Sequence, residues 1–179
     1  MSLKKIKIIG VFGIFLLSFL FHFMYEWFPN TLFSLIFPVN ESIWEHMKLI
    51  FYSFLAFGII DYILLKKYTK FNNFLFNLFI VPVLGIIIYL IIYLPIYNII
   101  GENMIVSIVL LFIVICIEQI ISYYLLKYKE IKYQKIVGII GMLLIFSMFI
   151  YFTYNPIHNY IFFDTKNSKY GIDIYIDEK

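Results

Sequence analysis

The chain contains no arginine: all 14 basic residues among its 179 positions are lysine. Heavy use of Lys with Ile, Phe, Tyr and Asn is the bias of AT-rich coding DNA, so the missing guanidinium carries no functional meaning. Charge is scarce, at 14% of residues, and the net charge is only +3. With no basic stripe interleaved with aromatics, that balance excludes nucleic acid as a partner. Cysteine occurs once, as Cys116 inside an apolar run. An internal disulfide and a Cys-x-x-Cys metal site are therefore excluded. Also missing are the G-x-S-x-G elbow, the P-loop, the G-x-G-x-x-G loop and His-Glu-x-x-His, so no familiar hydrolase, nucleotide or zinc signature is present. Without an internal repeat or a linker, residues 1–179 read as one domain.

Apolar residues are what the chain has instead, 63% of it, with 22% aromatic. Soluble domains are about 45–50% apolar and about 25% charged. A domain this small cannot bury so much apolar surface, and bilayer is the expected solvent. Five apolar segments predict an all-α integral membrane helical bundle with spans at about 8–28, 43–65, 73–93, 102–124 and 136–153 and a tail at 154–179. The first is too long for a signal peptide core and is followed by Phe28-Pro29-Asn30, so it reads as a retained span. Residues 32–37 form a short apolar piece expected at the interface. Ser42-Ile43-Trp44-Glu45 has the spacing of a capping box at the start of the second span. Pro82 should bend the third, and Tyr89, Tyr93 and Tyr97 at its far end suit an aromatic belt. Ile172 to Asp177 alternates like a strand, but one strand has nothing to pair with.

Lysines near the span ends set the orientation. Lys4, Lys5, Lys7, Lys66, Lys67, Lys70, Lys127, Lys129, Lys132 and Lys135 fall on one side, and Lys48, Lys166, Lys169 and Lys179 on the other. That distribution predicts five helices with the N-terminus inside and the C-terminus outside. All three histidines, His22, His46 and His158, then lie at the outer face.

The outer polar residues concentrate in Pro38 to His46, Pro-Val-Asn-Glu-Ser-Ile-Trp-Glu-His. His22 and Glu26 share a helix face at i, i+4, as do Glu41 and Glu45, and Ser42 and His46. A short first loop brings the two spans together, so His22, Glu26, Glu45 and His46, with His158 from the tail, form a candidate site for a divalent metal such as zinc. Glu41, Glu45 and Asp164 are the candidate catalytic acids or bases, and Asn40, Ser42, Trp44 and Tyr170 the candidate substrate or structural residues. The plainer reading makes Glu26 and Glu41 solvated, Glu45 a helix cap and Trp44 an interfacial anchor. Against it, His22 lies about one turn inside the membrane edge, where ionisable groups are costly and have partners or roles. At the inner half, Asp61 is expected to reach the interface or a loop lysine. Glu118 is expected to hydrogen-bond Ser122 or Asn77, the other reading being a proton relay.

His22-Phe-Met-Tyr-Glu26-Trp27, Phe37 to Leu49 around Asn-Glu-Ser-Ile-Trp-Glu-His, and Phe163-Asp164 with Tyr170-Gly171-Ile172 resemble a family of small bacterial multi-pass membrane proteins catalogued as a domain of unknown function. The likeness covers essentially the whole chain; the Asn155-Pro156-Ile157 stretch has less proline than the family pattern. It implies the bacterial plasma membrane and the same choice of residues, and it brings no activity. Three functions follow: a metal-dependent hydrolase on a lipid or envelope substrate, a membrane-embedded substrate-binding or transport component, and a non-catalytic partner of another integral membrane protein. Vitamin-importer binding subunits, similar in size, usually have six spans, which counts against the second. Membrane lipids are the expected surroundings in each.

Overall fold

The computed structural model of the chain describes residues 1–172 and the backbone of Ile174 and Tyr175. It is all-helical except for three two-residue strands in the tail. The long helices are α1 (Leu3–Trp27), α3 (Ile43–Tyr68), α4 (Phe74–Ile100), α5 (Met104–Lys127) and α6 (Gln134–Tyr154); α2 (Thr31–Ser34) is one turn in the first loop. All five long helices are long and apolar enough to cross a membrane. Their positions match the expected spans, with one clear difference: α4 runs seven residues beyond 93, through both Pro82 and Pro95. Each proline removes one backbone donor, which a long apolar helix tolerates when its neighbours supply the packing.

The helices alternate in direction. Leu3 and Ile6 of α1 pack with Leu65 at the end of α3, Phe74 at the start of α4 and Leu126 at the end of α5. The lysine-rich segments therefore gather at one end, and the first loop, the α4–α5 connection and the tail at the other. Helix α3 lies at the centre: 61% of its spanning window is buried, against 22–28% for the rest. It packs on α1 and α4, while α5 packs on α1 and α4, and α6 packs on α4. Exposed Ile and Leu on the outer faces are what a bilayer would solvate.

Small residues let backbones meet. A Cβ on Gly138 would strike the Leu75 backbone, so α6 can approach α4 only through that glycine. A Cβ on Gly85 would strike the Glu118 carboxyl, which lies against the bare α4 backbone.

Buried charges sit at both ends. Lys7 pairs with Asp61, so the partner of Asp61 is a buried lysine within α1 and not one of a loop. Glu118 and Ser122 are fully buried, as is Asn77, yet their side chains carry no hydrogen bond. The expected contact of Glu118 with Ser122 or Asn77 is thus not made.

The tail corrects another expectation. Phe163–Asp164 (β1), Lys169–Tyr170 (β2) and Ile174–Tyr175 (β3) form an antiparallel sheet in the order β1-β2-β3. The alternating segment finds its partner in the preceding hairpin. Asp173, Ile176 and Asp177 lie outside the described residues.

Candidate functional site

The segment 38–46 builds a platform between the helix ends. Ser42 caps α3 by accepting the Glu45 N–H at 3.3 Å. Only half of the expected capping box forms, because Glu45 does not return to Ser42. The Ser42 N–H is instead donated to Asn40 Oδ1 at 2.9 Å. Glu45 turns inward: its carboxylate accepts the Val39 N–H at 3.0 Å and the Thr153 hydroxyl at 2.7 Å, and pairs with Lys48 at 2.7 Å. Lys48 also donates to the Ser34 carbonyl at 2.9 Å. With both oxygens committed and 1% of the residue exposed, Glu45 joins neither the metal ligands nor the candidate catalytic groups at the surface.

The tail is bolted to this platform. The Asn40 side chain donates to the Gly171 carbonyl at 2.8 Å, and the Trp44 backbone N–H to the Ile161 carbonyl at 2.9 Å. The Trp44 ring stacks on Phe162 and packs against Phe149 and Phe152, so it is a core residue between α3, α6 and the tail rather than an interfacial anchor. Asp164 is the hub. Its two oxygens accept the N–H of Glu41 at 3.1 Å, of Lys166 at 2.9 Å and of Asn167 at 3.0 Å, and the Asn167 amide at 2.8 Å. Burial pulls its pKa upward, but these hydrogen bonds outweigh that and hold the carboxyl below the usual carboxylate range. A carboxylate so occupied positions Glu41; it is not free to shuttle protons. His158 and Tyr170 stack face to face, centroids 4.5 Å apart, in the tail. His158 is not one of the groups that converge with the other two histidines.

What converges is His22, Glu41 and His46. Ligand atoms from all three lie within 4.8 Å of one another, the one such trio among the described residues. His46 Nε2 is 3.4 Å from one Glu41 oxygen and His22 Nε2 3.9 Å from the other. The two rings stack at 5.3 Å. Each side chain is about a quarter exposed. Glu41, expected as a catalytic group, occupies the ligand position expected for Glu45. Glu26, one turn from His22, is exposed and lines the same opening.

His46 Nδ1 lies 2.9 Å from the Ser42 carbonyl oxygen. A carbonyl only accepts, so Nδ1 carries the proton. In the neutral ring Nε2 then presents a lone pair to the Glu41 carboxylate. Two lone pairs 3.4 Å apart repel unless a proton on Nε2 or a cation lies between them. A proton on His46 alone answers that contact and leaves His22 unserved, and protonating both stacked imidazoles would set like charges side by side; one divalent cation would serve both rings. Tetrahedral zinc with ligands at about 2.0–2.2 Å sets donor atoms roughly 3.3–3.6 Å apart, so the residues fit after a small closure. An Nδ1–H held by a carbonyl is the usual support of a ligating histidine.

The trio stands at the mouth of a cleft of about 510 Å³ that runs between α1, α3, α4 and α5. Tyr89, Tyr93 and Tyr97 form its back wall. Tyr89 and Tyr93 are buried, and Ser107 of α5 donates to the Tyr93 hydroxyl at 3.2 Å. The tyrosine ladder thus faces inward rather than forming a belt. Its i, i+4 spacing in register with Gly85 and Val81, on the face packed against α5, was the available signal. Lys166, 3.5 Å from Glu41, sits at the rim, and nothing in its local sequence marks it.

No curated protein and no solved structure matches the chain. The model of a family of unknown function, DUF6512, matches residues 1–172, and the chain belongs to that family.

Proposed function

We propose that the chain is a multi-pass protein of the bacterial plasma membrane, N-terminus inside, whose external face holds a divalent metal such as zinc on His22, Glu41 and His46. The lysine asymmetry carries the orientation. The observation that carries the site is His46: its Nδ1 is tied to the Ser42 carbonyl while its Nε2 faces the Glu41 carboxylate. Three protein ligands leave a coordination position open, the arrangement of hydrolytic zinc centres, where the ion polarises a carbonyl or phosphoryl oxygen and lowers the pKa of bound water. Hydrolysis is therefore the reaction the site supports best. Glu26, expected as a ligand, lines the same opening but is not one of the three groups that lie within 4.8 Å of one another; in this reading it takes the proton from water.

Metal analysis of detergent-purified protein tests this. About one zinc per chain is expected, falling at least tenfold in both His22→Ala and His46→Ala while each keeps the wild-type helical spectrum. Metal-free protein after incubation with zinc, or full occupancy in both variants, refutes it.

The transport reading has one observation in its favour, the hydrogen-bond-free Glu118 carboxyl inside the bundle. Its neighbours Gln119 Oε1 and Ser122 Oγ likewise lack partners. No second charge accompanies Glu118 there, and the His22–Glu41–His46 mouth is the stronger feature.

A further inference from the structure

The cleft beneath the trio is built for something more specific than water. It spans Ser18 to Glu26 along α1 and Tyr89 to Tyr97 along α4. Eight residues at 1.5 Å each give a depth of about 12 Å. Half of a hydrocarbon core of about 30 Å is about 15 Å. A cleft of that depth matches most of one leaflet.

Its chemistry changes along that depth. The floor and walls carry Ile50, Leu111 and Ile108 with Ser18. The charged lining comprises the two histidines, the carboxylates of Glu26, Glu41 and Glu102, and the Lys166 ammonium, so an anion is drawn there only with a cation on the trio. The cleft also has a side between two helices whose outer faces carry exposed apolar residues. Helices α1 and α5 touch below the floor, where Phe15 packs edge-on against Phe112 at 5.1 Å. Above that contact both helices line the cleft, and its lips include Phe19 and Met104, 37% and 74% exposed. The hydrocarbon part of a ligand entering between α1 and α5 would stay in the apolar phase.

We propose that the cleft takes a phosphate-bearing membrane lipid of the adjoining leaflet, entering sideways between α1 and α5. Its hydrocarbon chain lies along Ile108, Leu111 and Ile50, and its phosphate stands at the His22–Glu41–His46 mouth beside the Lys166 ammonium. A phosphate is the headgroup element that both a bound divalent cation and a lysine recognise, and the depth match sets it level with the membrane interface. This assignment rests on the metal reading for the headgroup and on the cleft alone for the chain.

Native mass spectrometry of the zinc-loaded full chain, with dioleoyl phosphatidic acid as the probe and dioleoylglycerol as the phosphate-free control, tests it. Wild type should retain one phosphatidic acid and at least tenfold less dioleoylglycerol. Ile108→Trp should lose the lipid at least tenfold with zinc unchanged. Because the added ring could disturb folding, Ile108→Cys in a Cys116→Ser background provides a second block: it folds with a small side chain and is then capped with a bulky maleimide. Wild type that holds zinc but no phosphatidic acid overturns the proposal, as does lipid retention unchanged by filling position 108. Equal retention of both lipids removes the phosphate assignment. Lipid bound without zinc, and undiminished in His22→Ala, condemns the metal reading while leaving the cleft standing.

Discussion

Asp164 accepts the backbone N–H of Glu41 at 3.1 Å, joining positions 123 residues apart. One ligand of the candidate metal site is thus held in place by the tail, and the tail's docking and the site's geometry are one structural problem.

Acid should undo that docking. The Asp164 carboxyl is held below its ordinary value of 3.8, so its contribution is fully present above that pH. As pH falls below it, the undocked state takes up the proton first and the contribution is lost. In a Trp27→Phe background the remaining Trp44, stacked on Phe162 at 4.8 Å, reports the change. Its emission should stay constant from neutral pH down to about 4 and shift below that. Asp164→Ala, which leaves four donors without an acceptor, should cost about 1–3 kcal/mol and shift the emission already at pH 7. Wild-type emission in that variant would show that the tail is held otherwise.

Glu45 and Lys48 form a buried pair whose members fail separately. Glu45→Ala strands the Lys48 ammonium, of which 0% of the side chain is exposed, and should cost about 3–5 kcal/mol. Glu45→Gln with Lys48→Met removes both charges and should recover most of that loss. Thermal melting in detergent gives the comparison; a double variant no better than Glu45→Ala would show that the charges are not what couples them.

Gly138 should tolerate no side chain. The obstacle to a Cβ there is the Leu75 backbone, not a movable side-chain tip. Gly138→Ala should lower stability by about 1–3 kcal/mol through overpacking, with a corresponding fall in Tm. An unchanged Tm would mean that α4 and α6 are less closely apposed.

Glu118 distinguishes structure from use. A buried carboxyl without a hydrogen bond is costly, and replacing it with an apolar group of similar length should stabilise the bundle. Glu118→Met is expected to raise Tm, by an amount corresponding to about 1–3 kcal/mol. A lower Tm would reveal a partner or bound group on which the fold depends.

The five candidate spans are readable from the sequence because long apolar helices, the form bilayer solvation demands, are marked by length and composition whatever the finer propensities. Ser42 is readable for a local reason: a cap depends only on its own turn. Side-chain direction is harder. Ser42-Ile43-Trp44-Glu45 matches a capping box, and nothing local says that Val39, Thr153 and Lys48 outbid the Ser42 amide for Glu45. The i, i+3 spacing of Glu45 and Lys48 was a usable hint. His158 failed for another reason: an irregular tail has no period from which to infer where a ring points. His22, Glu41 and His46 meet because α1 and α3 lie side by side, a relation that the short first loop already implied.

Zinc K-edge X-ray absorption on the zinc-loaded protein is the most direct measurement of the central claim. Two imidazole nitrogens and carboxylate oxygen at about 2.0–2.2 Å are expected, with the imidazole scattering diminished in His46→Ala. A shell containing sulfur from Cys116, a shell without imidazole, or no bound zinc to measure would contradict the site.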